Sequence, residues 1–258
     1  MKMFGDVGVS FFGAGSKLGS TGAIGLTIKS LDLGDIPVTT VEAMDGTGNT
    51  FKPNMTTLSL TYANAFSDKA RFGISVKAIT ESIPRASASA FALDAGVQYE
   101  NLNDIEGLGI GLVLKNIGTD MHYEGSSLTT TASDEDNLED FYNIESSYDK
   151  LPSTFDMAMS YKVSGATLAL TYTSHNFRYD DLSIGGEYEL MEMVYLRGGM
   201  SIPMLEENSA QEDEVLGGLN FGAGLKYNLL GTDLFVEYTY RSQKYFDANN
   251  LLSLSVGF

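Results

Sequence analysis

Hydrophobic and polar residues alternate with a period of two along nearly the whole chain. This spacing is typical of β-strands that present one apolar and one polar face. Thirteen such segments follow one another, and no segment shows a convincing helical period. The chain is therefore predicted to be all-β. The predicted apolar faces are Val7-Val9-Phe11, Ile24-Leu26-Ile28, Leu58-Leu60-Tyr62, Phe72-Ile74-Val76, Phe91-Leu93-Ala95-Val97-Tyr99, Leu108-Ile110-Leu112-Leu114, Phe155-Met157-Met159-Tyr161, Leu168-Leu170-Tyr172, Leu182-Ile184-Gly186-Tyr188, Val194-Leu196-Gly198-Met200-Ile202, Phe221-Ala223-Leu225-Tyr227, Leu234-Val236-Tyr238-Tyr240 and Leu252-Leu254-Val256-Phe258.

The last predicted strand carries the most specific signal. One of its faces holds the apolar residues Leu252, Leu254, Val256 and Phe258, and the other holds only small residues. A strand that ends the chain on an aromatic residue resembles the closing strand of bacterial outer-membrane barrels, in which this ending is the assembly signal. The alternative is the last strand of a soluble sandwich.

The connections between the predicted strands decide between these alternatives. Counted back from the carboxy terminus, alternate connections are short, around residues 229–232, 191–193, 164–165, 101–106 and 67–70. The intervening ones tend to be longer, notably residues 32–53, 124–151 and 203–218. Outer-membrane barrels have short periplasmic turns and long external loops. We therefore predict one domain over residues 1–258, an antiparallel up-and-down transmembrane β-barrel of the bacterial outer membrane.

Composition agrees with this fold and excludes several classes of protein. No run approaches 18 apolar residues, which excludes a transmembrane helix, and the absence of Cys excludes disulfides and thiolate metal sites. The net charge of −18 argues against nucleic-acid binding through phosphate neutralisation. Residues 124–150 hold eight acids and one base, and residues 204–216 hold five acids and no base. Both acidic segments are predicted to be external loops.

An odd number of strands places the two chain ends on opposite sides of a membrane. With Phe258 at the periplasmic side, the first predicted strand would begin outside the cell. We therefore expect one further strand upstream of this sequence, in a 14-stranded barrel. Residues 1–6 lack the apolar run and the cleavage site of a signal peptide, so we expect the signal peptide also to lie outside this sequence.

The face opposite the predicted lipid face carries charged residues of both signs. Neighbouring strands bring opposite charges together, and we expect Lys77 to pair with Asp94 and Glu187 with Arg197. We interpret these residues as structural pairs in the lumen; the alternative is a polar conduit or a surface for a polar ligand. The lumen-facing charged residues are Lys77, Asp94, Lys115, Asp156, Lys162, Glu187, Arg197, Lys226, Glu237 and Arg241.

No residue pattern predicts catalysis, a cofactor or a metal site. His122 and His175 lie near the outer ends of the sixth and eighth predicted strands, without the paired spacing of a metal site. Residues 134–137 lack the spaced ligands and central Gly of an EF-hand loop. The Gly-rich residues 13–19 lack the ending of a phosphate loop, and no nucleophile elbow appears. We expect a protein that is not an enzyme.

Five sequence blocks between residues 34 and 118 carry a family resemblance. They are Asp45-Gly46-Thr47-Gly48, Leu58-Ser59-Leu60-Thr61-Tyr62-Ala63, Asp68-Lys69-Ala70-Arg71-Phe72-Gly73-Ile74-Ser75-Val76-Lys77, Ala90-Phe91-Ala92-Leu93-Asp94-Ala95-Gly96 and Gly111-Leu112-Val113-Leu114-Lys115-Asn116-Ile117-Gly118. Their succession resembles the PorV/PorQ family of outer-membrane proteins, which are built like the FadL transporters of hydrophobic compounds. The resemblance implies a 14-stranded barrel with a plug segment and a role in type IX secretion. It assigns no substrate-contacting residue.

These observations leave three functions open. The leading hypothesis is a PorV-like protein that binds and shuttles secreted substrates in type IX secretion. The first alternative is a FadL-like transporter of hydrophobic small molecules, which needs an apolar pocket continuous with a lateral wall opening. The second is a diffusion porin, which needs an open lumen.

The expected partners follow from the same interpretation. They are outer-membrane lipid and other secretion-system or outer-membrane proteins, and not nucleic acid. The acidic external loops are candidate contacts for a basic partner, and the alternative is a solvated fringe. The candidate contact residues are Asp134, Glu135, Asp136, Glu212, Asp213 and Glu214.

Overall fold

The structure is a computed structural model that describes residues 7–19, 22–133, 139–204, 218–243 and 247–257. Strands make up most of this part of the chain. They are β1 (Gly8–Lys17), β2 (Ala23–Asp32), β3 (Ile36–Pro37), β4 (Thr50–Phe51), β5 (Asn54–Ala65), β6 (Ala70–Ile83), β7 (Ala86–Glu100), β8 (Leu108–Gly118), β9 (Tyr123–Glu124), β10 (Thr129–Ser133), β11 (Glu139–Asn143), β12 (Thr154–Val163), β13 (Ala166–His175), β14 (Asp181–Leu190), β15 (Val194–Pro203), β16 (Leu219–Leu229), β17 (Thr232–Arg241) and β18 (Asn249–Gly257). Two 3-10 turns, Leu102–Asp104 and Ser126–Leu128, are the helical elements of the described residues.

The long strands form one antiparallel sheet in which each strand pairs with its neighbours along the chain. The order is β1-β2-β5-β6-β7-β8-β12-β13-β14-β15-β16-β17-β18. β9 pairs with Ser87 and Ala88 near the start of β7. It extends the ladder of β7 and β8 beyond a shift of register between Leu93 and Ala95. Two short ribbons, β3 with β4 and β10 with β11, stand apart from this sheet. The topology is thus the predicted up-and-down arrangement of 13 strands.

The connections at the two ends of the sheet differ in length, as predicted. At one end they are tight turns, for example residues 164–165 and 230–231. At the other end lie the three long connections, residues 33–53, 119–153 and 204–218, together with shorter ones at residues 84–85 and 176–180. We call these ends the short-turn end and the loop end. Among the described residues, no helix has the length and apolarity needed to cross a membrane.

The register of the strands keeps the apolar residues on one face from β2 to β18. Leu60 lies opposite Leu26 on one side and Val76 on the other, and Leu254 lies opposite Val236. Because side chains alternate along a strand, a shift of one residue would turn an entire apolar face away. Leu254 is 69% exposed. This exposure is expected for an apolar side chain that faces lipid and packs against no other part of the protein. We call this the lipid face.

The opposite face, here called the inner face, is more enclosed. On β7, Ala88, Ala90 and Ala92 are buried, whereas Phe91 between them is 65% exposed. Small side chains on this face leave space where the strands curve around the lumen of a barrel. Candidate binding residues are therefore expected on the inner face.

The predicted apolar face of the first strand is wrong. β1 pairs with β2 so that Phe12 lies opposite Ile28, on the lipid face, and Phe11 lies opposite Lys29, on the inner face. Phe11 fills the space beside Gly13, because a Cβ at Gly13 would lie 3.3 Å from two ring carbons of Phe11. Alternation alone could not decide this register, since two consecutive Phe residues offer an apolar side chain to each face.

The external connection between β8 and β12 departs from a simple outward loop. Met121 and Leu151 pack in a buried apolar cluster on the inner face, whose other members are Ile79, Ala88, Ala90 and Ala92. Backbone hydrogen bonds in both directions join Met121 to Asp149. Met121 and Leu151 are isolated apolar residues in a polar stretch, so periodicity could not predict that they close over the inner face.

The two edge strands, β1 and β18, run in the same direction because an odd number of strands separates them. Within the described residues, β1 forms a ladder with β2 and β18 with β17, and neither forms another. The further strand expected from the sequence stays a prediction.

The two faces of β18 should differ in their tolerance of charge. Leu254→Arg should lower the free energy of unfolding by roughly 2–4 kcal/mol, because an Arg near mid-bilayer loses its hydration. Ser255→Arg, on the inner face of the same strand, should cost markedly less. Chemical denaturation of the protein reconstituted in lipid vesicles measures both values, and equal losses would contradict the assignment of faces.

Candidate functional site: the inner face

All ten charged residues predicted to line the lumen lie on the inner face. Their cross-strand partners place them there, since Lys77 lies opposite Ser59, Asp94 lies opposite Ser75 and Glu187 lies opposite Arg197. Ser59 is itself buried on this face. The register of the strands thus places these ten residues on the face opposite the lipid face.

A polar network joins β6, β7 and β8 near the loop end. Lys77 forms an ion pair with Asp94, and both side chains are less than one-fifth exposed. The Lys77 ammonium also donates to Oδ1 of Asn116 at 2.9 Å, and the backbone N–H of Asn116 donates to Oδ1 of Asp94 at 2.8 Å. Asn116 has a left-handed backbone, with φ of 57°, where the β7–β8 register is irregular. The irregular register therefore places the side chain of Asn116 beside the predicted pair of Lys77 and Asp94.

The opposite wall carries a second network across β14, β15 and β17. The guanidinium of Arg197 pairs with Glu187 on one side and Glu237 on the other. Ser253 on β18 donates to Oε2 of Glu237 at 3.1 Å. Arg197 therefore links three strands, which is the role that its planar fork of donors suits, and Glu237 extends the network to β18.

The other predicted charges differ in their partners. Lys115 pairs with Asp156, and Lys226 lies 3.4 Å from Asp233. Arg241 lies between Asn220 and Asn249 in the register of β16, β17 and β18. Lys162 forms no ion pair with any described residue. Most of the charge on this face is thus neutralised across strands, which favours a structural role over a polar conduit.

The loop end is held in place by hydrogen bonds to the β8–β12 connection. The side-chain amides of Asn116 and Asn176 donate to the carbonyl oxygens of Pro152 at 2.8 Å and Leu151 at 2.9 Å. On β9, the hydroxyl of Tyr123 donates to Oε2 of Glu81 at 2.6 Å. The hydrogen bond to this carboxylate, with burial, raises the pKa of Tyr123 to about 12. The hydroxyl is therefore protonated, and donating, at ordinary pH.

An apolar cavity of about 550 Å³ lies near the short-turn end. Gly73 and Gly96, which are cross-strand neighbours on the inner face of β6 and β7, form part of its wall. Val113 on β8 and Ala63 on β5 complete the small apolar surface, and the polar members include Lys17, Arg71 and Gln98. We call it the glycine cavity. It is a concave, largely apolar site of the size that small ligands occupy.

The glycine cavity borders two residues of the lipid face. Phe72 and Val97, which belong to the lipid face, also line it. The same two residues line a second cavity of about 270 Å³, together with Tyr99 and Leu112 of the lipid face. Arg71 and Gln98 are shared as well. An apolar pocket of the inner face and an apolar pocket of the lipid face are therefore adjacent across β6 and β7.

The glycine cavity was not predicted from the sequence, and some of the predicted site residues lie outside the part of the chain that the structure describes. The signal for the cavity was the pair Gly73 and Gly96 inside strands, since a strand Gly often marks a place where a ligand or backbone approaches closely. His122 and His175 lie at the loop end as predicted, and the described residues contain no group of three or more metal-ligating side chains. The acidic contacts Asp134, Glu135, Asp136, Glu212, Asp213 and Glu214, and the terminal Phe258, lie outside the described residues.

Comparison with known proteins identifies the fold. No protein-family model matches the chain, and no curated protein matches it. A solved structure of the TodX deltaS2S3 mutant monoaromatic hydrocarbon channel matches with a TM-score of 0.60 at 11% identity, covering 96% of this chain and 81% of that one. The CymD monoaromatic hydrocarbon channel matches with a TM-score of 0.58 at 11% identity, covering 97% and 84%. The chain therefore has the β-barrel fold of these channels, and the predicted fold class is confirmed.

Breaking one partner of the Lys77–Asp94 pair should destabilise the barrel more than removing both. Lys77→Met should lower the free energy of unfolding by roughly 3 kcal/mol, because it leaves a nearly buried carboxylate without its cation. Lys77→Met combined with Asp94→Asn should recover much of that loss. Denaturation in lipid vesicles measures the cycle, and additive losses would show that the two side chains do not interact.

The hydrogen bond from Tyr123 to Glu81 should give a pH-dependent contribution to stability. Tyr123→Phe should cost about 1–3 kcal/mol, because it removes the donor to a carboxylate. The raised pKa of Tyr123 makes this difference complete below about pH 10, the ordinary Tyr value, and lost as pH rises toward about 12. Unfolding of both proteins between pH 7 and pH 11 tests this, and a difference that grows with pH would contradict it.

Proposed function

We propose that this protein carries hydrophobic small molecules across the bacterial outer membrane. The observation that supports it most is the glycine cavity, an apolar pocket of about 550 Å³ that lies against β6 and β7 beside an apolar pocket of the lipid face. A transporter of this kind needs an apolar pocket that can open sideways through the wall, and the glycine cavity supplies the pocket. The fold shared with two monoaromatic hydrocarbon channels supports the same function.

The chemistry of the wall accounts for how such a solute would be handled. An apolar solute gains roughly 25 cal/mol for each Å² that it removes from water, so an apolar pocket attracts it without specific hydrogen bonds. Gly73 and Gly96 add no side chain, which leaves room for a flat or branched molecule. The apolar pocket of about 270 Å³ lies behind the same two strands on the lipid face, so a solute that left sideways here would pass between apolar surfaces once the β6–β7 ladder opened.

The paired charges of the inner face fit this function. Lys77 with Asp94, and Arg197 with Glu187, satisfy one another within the wall, so they present little net charge to a passing apolar solute. The chemistry needed is binding and passage alone, and we propose no enzymatic step. The PorV-like role in type IX secretion was the leading hypothesis from sequence, and the comparisons favour the transport alternative over it.

Filling the glycine cavity should slow uptake of an apolar solute. A Cβ at Gly73 would lie 3.6 Å from its nearest heavy atom, an ordinary contact, so Gly73→Leu should fold while occupying the cavity. Gram-negative cells that make the protein should take up radiolabelled toluene several-fold more slowly with this variant than with the wild type.

A matched control separates cavity filling from added bulk in the lumen. Gly185 lies on the inner face of β14, outside the glycine cavity, and a Cβ there would also have its nearest contact at 3.6 Å. Gly185→Leu should leave toluene uptake within about twofold of the wild type at equal amounts of assembled protein. Equal uptake by Gly73→Leu and the wild type would overturn the proposed function.

A further inference from the structure

The connection between β8 and β12 encloses a polar cavity at the loop end, opposite the glycine cavity. Its volume is about 630 Å³, within the range of small-molecule sites. Its walls come from β9, the 3-10 turn that follows it, and residues 143–146 at and after the end of β11. The transport path described above does not use this cavity. We call it the outer cavity.

Two aromatic rings form one side of the outer cavity. The rings of His122 and Tyr148 lie with their centroids 4.8 Å apart and their planes at 35°. Tyr148 is 60% exposed, so a large part of its ring is open to a ligand. Its hydroxyl forms no hydrogen bond with the residues that the structure describes. A 3.0 Å contact between Nε2 of His122 and Oε1 of Glu124 also orients the His122 ring.

Two carboxylates line the same cavity. Glu124 is the partner of His122, whereas Glu145 forms no ion pair or hydrogen bond with a described residue. The nearby cation Arg85 does not line the cavity and donates instead to Oγ of Ser126 at 3.2 Å and to its carbonyl oxygen at 3.0 Å.

We propose that the outer cavity binds a small organic ammonium compound. An aromatic face attracts a cation through its quadrupole, most strongly where the cation is partly removed from water. A carboxylate without a partner adds a direct Coulomb attraction to the same charge. Tyr148 and Glu145 supply these two interactions within one cavity, and a neutral ligand would use neither. A compact apolar molecule that carries a primary or quaternary ammonium group can make both the cation–π contact and the Coulomb contact.

Choline and its neutral isostere, 3,3-dimethylbutan-1-ol, test this proposal. Isothermal titration calorimetry uses the full chain in detergent at pH 8 and low salt. Choline should bind, and the isostere, which has the same shape without the charge, should bind at least tenfold more weakly. Binding of choline should also weaken as salt is raised, because its attraction to the carboxylates is screened.

Variants of the cavity wall locate the binding. Tyr148→Ala should weaken choline binding by roughly threefold to thirtyfold, the range expected for a lost cation–π contact. Glu145→Gln should weaken it several-fold and reduce its dependence on salt. Tyr142→Ala is the matched control, because Tyr142 on β11 is 53% exposed and does not line the cavity. Its affinity for choline should equal that of the wild type.

Three results would overturn the proposal. The first is no binding of choline by the wild type, and the second is equal affinity for choline and its neutral isostere. The third is an equal effect of Tyr148→Ala and Tyr142→Ala on the affinity. All variants replace exposed loop side chains, and unchanged circular dichroism shows that each barrel is assembled.

Discussion

The pairing of backbone groups between neighbouring strands at a fixed register is the constraint on which this structure depends. Inside a bilayer, an N–H or C=O group without a partner costs several kcal/mol, since no water can replace the missing hydrogen bond. Thirteen antiparallel strands satisfy these groups in succession. Once the ladder is set, alternation assigns every side chain to lipid or lumen, as with Leu254 and Ser255. The face that each strand residue occupies then follows from its position.

The distribution of charge on the inner face follows from the same constraint. A charge inside a narrow wall is costly unless an opposite charge compensates it. Cross-strand neighbours are the closest candidates, and Arg197 bridges Glu187 and Glu237 in this way. Where the wall carries small side chains instead, as at Gly73 and Gly96, it leaves apolar space. Ion pairs and glycines thus have complementary roles, since the pairs tie the strands and the glycines leave room for a solute.

The two ends of the barrel present different chemistry. At the short-turn end, tight turns leave the wall accessible, and the glycine cavity adjoins a pocket on the lipid face. At the loop end, hydrogen bonds from Asn116 and Asn176 hold the β8–β12 connection close to the inner face. That connection forms the outer cavity, whose lining is polar and acidic. The polar cavity and the apolar cavity therefore lie at opposite ends of the barrel.

The sequence by itself determined the strand count, the order of short and long connections, and the lipid face from β2 onward. It could do so because a period of two is a local property, which also places both members of the pairs Lys77–Asp94 and Glu187–Arg197 on the same face of neighbouring strands. Only the tertiary structure decided the register of β1, because Phe11 and Phe12 offered an apolar side chain to either face. It also decided that Met121 packs on the inner face. The residues that line each of the two cavities come together only in the tertiary structure. These features join residues far apart in the chain, and their contacts depend on curvature and loop path, which alternation does not encode.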